Sequence, residues 1–182
     1  MKKTVLLLLA LSVSLITKAQ ENKEAYAIAD KKHKTKATTL DSTINTLYEV
    51  ISGPKGQDRN DELLRYLFHP EAKFIASGKR QNGSYGARYV TMDSYVEKSL
   101  KWMVENGFFE KELHRVTERF GHIAHVFSTY ECFNGKEDQE PFMRGINSIQ
   151  LMYTGKRWVV MNIYFTQESE ENPIPGKYLP KK

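Results

Sequence analysis

The stretch Met143-Arg144-Gly145-Ile146-Asn147-Ser148-Ile149-Gln150-Leu151-Met152-Tyr153, then Thr154-Gly155-Lys156, then Arg157-Trp158-Val159-Val160-Met161-Asn162-Ile163-Tyr164-Phe165-Thr166-Gln167, reads as two long strands and a tight turn. Branched and aromatic side chains fill both runs, and a turn this short joins antiparallel neighbours. Pairing outward from Gly155 sets Tyr153 opposite Trp158, Leu151 opposite Val160, Ile149 opposite Asn162 and Asn147 opposite Tyr164. Side chains alternate between the faces of a strand, so these eight share one face. The other face carries Val159, Met161, Ile163 and Phe165, with Met152 beside them.

Upstream, His122 to Phe133 reads as a third long strand, and Asn134 to Glu140 as a polar loop. Phe109 to Arg119 alternates only weakly, with Gly121 as a turn. Before Gly107 the pattern is helical. Ile44, Leu47, Tyr48 and Ile51 form one stripe at i, i+3, i+4 and i+7. Asp41 or Ser42 caps this helix, and Ser52-Gly53-Pro54 stops it. A second helix opens at Asn60-Asp61-Glu62 and ends at His69-Pro70, because a residue before proline is pushed out of the helical region. Ala72 to Ala76 is a short strand, and 77–87, with Asn82-Gly83, a turn. A third helix runs from Thr91-Met92-Asp93 to about Asn106, with Gly107 as its stop. Helices first and antiparallel strands afterwards predict an α+β domain.

The ends carry different signals. Lys2-Lys3, the apolar run Val5–Ile16 and Ala19 before Gln20 form an export-signal pattern, with cleavage expected after Ala19. Twelve apolar residues are too few for a bilayer core, which needs about 20, so no stable membrane anchor is expected. The only cysteine, Cys132, is far from the cleavage point, which argues against a lipid anchor there, and it has no partner for an internal disulfide. It reads as a small buried apolar residue. The expected organisation is a signal at 1–19, a flexible polar leader at 20–39, the domain at 40–167 and a Pro-rich tail at 168–182. The mature protein is then periplasmic or extracellular. Removing Lys2, Lys3 and Lys18 leaves 24 basic against 22 acidic side chains, a balance that predicts no nucleic-acid partner.

Several pieces resemble the nuclear transport factor 2-like superfamily, which includes SnoaL-like and ketosteroid-isomerase-like proteins. They are Leu67-Phe68-His69-Pro70-Glu71-Ala72, Gly121-His122-Ile123-Ala124-His125-Val126 and Gly155-Lys156-Arg157-Trp158-Val159-Val160. The stretch 144–151 and the ending Pro173-Ile174-Pro175-Gly176-Lys177-Tyr178-Leu179 are similar to exported bacterial members. The resemblance covers roughly Leu40 to Tyr178. It implies a cone: three N-terminal helices packed on a strongly curved antiparallel sheet, with a cavity at the wide end. Functions in that fold range from isomerases and dehydratases to binding and dimer modules, so the fold leaves function open.

The resemblance also implies that Trp158 points into the cone. The ligand-facing row is then Trp158, Asn162, Tyr164 and Asn147, with Val160 deep among them. The apolar opposite face implies a homodimer through the sheet, or a cover made by the tail with Ile174, Tyr178 and Leu179. Inward carboxylates are few. If the His125 face of its strand is concave, His125 and Glu131 are acid/base candidates; if the other face is, Ser128 and Tyr130 line the pocket. Arg144 is read as a clamp for an anionic ligand or as a partner of Glu131 or Glu140. His122 and His125, three apart in one strand, point to opposite faces, so no metal site is expected from them with His114. No phosphate loop, nucleophilic triad or haem motif is present, and no cofactor is expected. The expectation is a small-ligand-binding or accessory domain. The alternatives are an isomerase, cyclase or dehydratase, or a dimeric protein-interaction module.

Overall fold

The computed structural model describes residues 28–181. The described residues fall into two units, the first ending at Lys34 and the second beginning at Thr35. In the first, residues 28–33 are helical; the expected signal and the start of the leader lie outside the described residues. In the second, the end of the expected leader is packed: Ala37 is buried, and its carbonyl accepts from the Trp158 N–H at 2.8 Å. Among the described residues no helix is long and apolar enough to cross a membrane.

The second unit is α+β, with helices on a curved six-stranded sheet. Helix α1, Leu40–Ile51, is capped by Thr39, two residues before Asp41 and three before Ser42, the caps expected from the sequence. Thr39 and Ser42 cap it reciprocally, each side chain accepting from the other's backbone N–H. Its stripe Ile44, Leu47, Tyr48 and Ile51 is buried as the spacing predicts. Helix α2, Asp61–Leu67, is capped by the Asn60 side chain. Strands β1, Phe68–Lys79, and β2, Tyr85–Thr91, follow, with β2 standing where the sequence suggested only a turn leading into a helix. Helix α3 is α-helical over Met92–Ser94 and Lys101–Asn106 and wound wider, as a π-helix, over Tyr95–Leu100. Gly107, at φ +80°, ends it.

Four long strands complete the sheet: β3, Phe109–Phe120; β4, Ile123–Phe133; β5, Met143–Tyr153; β6, Trp158–Gln167. The order is β2-β1-β6-β5-β4-β3, antiparallel except for the β1–β6 pair. Helix α1 packs on β3 and β6, which closes the concave side.

Two bulges correct the register read from the sequence. Near the turn the expected pairs hold: Tyr153 faces Trp158 and Leu151 faces Val160. Then Gln150 faces Asn162, so Met161 is an extra residue in β6, and Asn147 meets Phe165 instead of Tyr164. A single inserted residue exchanges the two faces beyond it. A second bulge, at Leu113 in β3, separates Glu112 opposite Tyr130 from His114 opposite Thr129.

The tail folds back on the convex side. Tyr178 packs against Phe127 with its ring tilted and the centroids 4.8 Å apart, and its carbonyl accepts from Thr129 Oγ1 at 2.6 Å. Of the five apolar residues expected on that face, Ile163 and Phe165 turn inward to the cavity.

Candidate functional site

A cavity of about 590 Å³ opens between α1, α3 and the concave face of the sheet. Leu47, Tyr48 and Ile51 reach it from the buried stripe of α1. The wide turn of α3 presents Tyr95, Lys98 and Ser99, with Trp102 and Met103 one turn on. The sheet contributes Phe74, Glu110, Tyr130, Asn147, Ile163 and Phe165. At the mouth, half-exposed Trp102 and Phe142 flank Phe108 edge-on, with ring centres 6.5 and 6.3 Å away. The guanidinium of Arg59 binds the carbonyls of Ile51, Gly53 and Met103, so the ends of α1 and α3 are tied together beside the cavity.

The lining is mostly apolar, with a few converging polar groups. Asn147 Nδ2 donates to Glu110 Oε1 at 3.0 Å and to Tyr48 Oη at 3.2 Å. Tyr48 Oη and Ser128 Oγ lie 2.7 Å apart, and Ser128 donates to Glu112 Oε1 at 2.5 Å. Among the described residues no donor reaches the second oxygen of Glu110. Its carboxyl is enclosed by protein except where it meets cavity space. Burial pushes it up from 4.5 to about 7, against the opposing pull of the Asn147 hydrogen bond. Burial, and then the charge of Glu110, push the hydroxyls of Tyr48, Tyr95 and Tyr130 and the thiol of Cys132 far up, so all four stay neutral near pH 7.

Tyr130 owes its place to Gly145. The two pair across β4 and β5, and a Cβ on residue 145 would come within 2.5 Å of the Tyr130 hydroxyl and overlap the Thr166 carbonyl oxygen. The Arg144-Gly145 motif thus has its meaning in the glycine.

Of the residues singled out from the sequence, Tyr130 and Asn147 meet at this cavity. Ala124, Val126, Ser128 and Tyr130 form the concave face of β4; Tyr130 lines the cavity, whereas Ser128 is buried behind Tyr48 and does not. His125 and Glu131 lie on the other face: His125 Nε2 is 2.8 Å from Ser148 Oγ, and Glu131 is 3.5 Å from Arg144. Arg144 sits between Glu131 and Glu168, each 3.5 Å away, so it is an ion-pair centre on the convex side. The bulge at Met161 turns Asn162 and Tyr164 outward, where Asn162 Nδ2 donates to Gln150 at 2.9 Å and Tyr164 is 47% exposed. Trp158 is buried away from the cavity, with Arg119 over its ring at 4.9 Å.

Sequence reasoning missed Glu110, Tyr48 and Tyr95 as site residues. The available signal was the spacing Glu110-Lys111-Glu112, which sets two carboxylates on one face of a strand, just after Phe108 and Phe109.

Neither a family model nor a curated protein matches the sequence. Solved structures do match. A protein with a cystatin-like fold from Nostoc punctiforme superposes with a TM-score of 0.53 at 7% identity, over 72% of this chain and 90% of that one. A putative scytalone dehydratase from Novosphingobium aromaticivorans gives 0.53 at 12%, over 71% and 82%. A putative calcium/calmodulin-dependent protein kinase II association domain from Xanthomonas campestris gives 0.51 at 11%, over 72% and 86%. At such identities the likeness concerns architecture alone. Helices on the concave side of a bent sheet, with a cavity between them, give this chain a nuclear transport factor 2-like fold.

Proposed function

We propose that this chain binds a small, largely apolar molecule in the cavity, with Glu110 as its polar anchor. One observation carries the reading: a carboxyl with one oxygen held by Asn147 and the other turned to space, under walls made mostly of aromatic and aliphatic side chains. Such a group is costly to bury unless something meets it, and a ligand polar group is suited to do so. With residues 1–19 read as an export signal, binding takes place outside the cytoplasm.

The experiment is mass spectrometry of small molecules that copurify with the protein from its own host, in parallel with a Ser99→Phe variant. Ser99 lines the cavity from α3, so the new ring fills it without cutting into the core. A compound present in the wild type and lost from the variant supports the reading. The same compounds in both, or none in either, count against it.

A second reading, proton-transfer catalysis of the isomerase or dehydratase kind, is favoured by the position of Glu110 near 7, where a carboxyl gives up and takes back a proton at neutral pH. Solvent deuterium entering the bound compound, and its absence in Glu110→Gln, would support it; no incorporation by the wild type would end it.

A further inference from the structure

Glu112 does not line the cavity, yet four hydrogen bonds connect it to Glu110. Arg115 clamps it, with Nε 2.8 Å from Oε2, and is itself held by Asp41 at 2.9 Å and Asn45 at 3.0 Å from α1. Paired with a guanidinium in this way, Glu112 is a carboxylate and can only accept. Ser128 has one O–H and donates it to Glu112. Its oxygen must therefore accept from Tyr48. The single hydrogen of Tyr48 being used there, the tyrosine oxygen accepts from Asn147. Asn147 must then turn its nitrogen, not its carbonyl, into the position between Tyr48 and Glu110. With the amide reversed, three acceptors would face one another without a hydrogen. Tyr48, Ser128 and Asn147 are 6%, 0% and 8% exposed, so bulk water is poorly placed to relax this order.

We propose that Glu112 is a positioning residue: it sets the direction of every hydrogen bond in this chain and so makes Asn147 present an N–H to Glu110. The consequence is a division of labour within one carboxyl. Oε1 is committed to Asn147, and Oε2 is the atom that meets a ligand. While Glu110 is charged, the ligand class this selects carries a hydrogen-bond donor, a hydroxyl, an N–H or an acidic C–H, on an otherwise apolar body. The other titratable groups turned toward Glu110 or the cavity are Tyr95 and Lys98 of α3 and Tyr130 and Cys132 of β4. None of them belongs to the chain of four.

This inference rests on reading Glu110 as the anchor of the site, but its test needs no ligand. Carbon-13 NMR of the glutamate carboxyls, with the Glu110 signal assigned from Glu110→Gln, gives the Glu110 titration midpoint in wild type, Glu112→Gln and Ser128→Ala. A glutamine at 112 can donate to Ser128 and let the whole chain reverse, so that the Asn147 carbonyl faces Glu110 and favours its protonated form. The midpoint should then rise by about one pH unit. Were Glu112 merely a nearby negative charge, removing it would lower the midpoint. Ser128→Ala cuts the chain without changing any charge and is expected to raise it as well, which keeps the test sound if Glu112→Gln fails to fold. A midpoint unchanged or lowered in the variants that fold overturns the proposal. Loss of the copurifying compound in Glu110→Gln reports separately on the site itself.

Discussion

Asn147 and Glu110 touch at 3.0 Å although a whole strand, β4, runs between the strands that carry them. In a flat sheet, next-but-one strands are about 10 Å apart. The contact is the local signature of the curvature that makes the cavity.

Glu110 makes stability depend on pH in a defined direction. Its carboxyl is raised from 4.5 to about 7 in the folded chain. Below about pH 4.5 it is neutral both folded and unfolded, and its contribution is fully present. Between 4.5 and 7 the unfolded chain releases the proton first, so stability falls as pH rises and levels off above 7. Glu110→Gln removes this component. Relative to wild type it should gain on the order of 2 kcal/mol between pH 4.5 and 8.5, read from urea unfolding at the two pH values.

Gly145→Ala should cost about 2 kcal/mol or more, because the new methyl meets the backbone of β6 and the Tyr130 hydroxyl together. Tyr130→Phe removes the hydroxyl but leaves the ring carbon at 2.7 Å and the Thr166 carbonyl in place, so it should not rescue it. Thermal unfolding of the single and double variants distinguishes these outcomes.

The link between Thr129 and the tail is a buried hydroxyl donating to the Tyr178 carbonyl at 2.6 Å. Thr129→Val keeps the shape and removes the donor, at an expected cost of about 1 kcal/mol. Hydrogen exchange should quicken in residues 173–179 and leave β5 unchanged.

Deleting 173–182 uncovers the convex face around Phe127 and Tyr178's seat. Light scattering on this variant tests the homodimer expected from the sequence: association that appears or strengthens on deletion indicates that the tail and a second copy compete for one surface. An unchanged mass argues against that use of the face.

Arg144→Met should lower stability by less than about 1 kcal/mol, since its pairs with Glu131 and Glu168 are partly exposed. The copurifying compound should be retained, as the side chain points away from the cavity.

The helices were legible because their burial follows simple periodicity: Ile44, Leu47, Tyr48 and Ile51 are all in the core. The β5–β6 hairpin was legible for the same reason, as far as Val160. Beyond it, strict alternation assigned Asn162 and Tyr164 to the cavity and Ile163 and Phe165 to the outside, the reverse of what is found. No side chain announces a bulge, and one inserted residue is enough to exchange the faces beyond it. Strand β3 escaped reading for a related reason. Its inward residues near the cavity, Glu110 and Glu112, are acids, so hydrophobic alternation cannot reveal which way it faces.

One pairing has a consequence for how the chain acquires its structure. Strand β1 runs beside β6, so Phe74 waits for Ile163, which follows it by 89 residues. Most other neighbours in the sheet are close in sequence and can zip locally, whereas this contact has to close a long loop. A chain still emerging from the ribosome therefore lacks a finished core until its last strand is free. The late arrival of β6 favours folding after synthesis is complete over folding along the way.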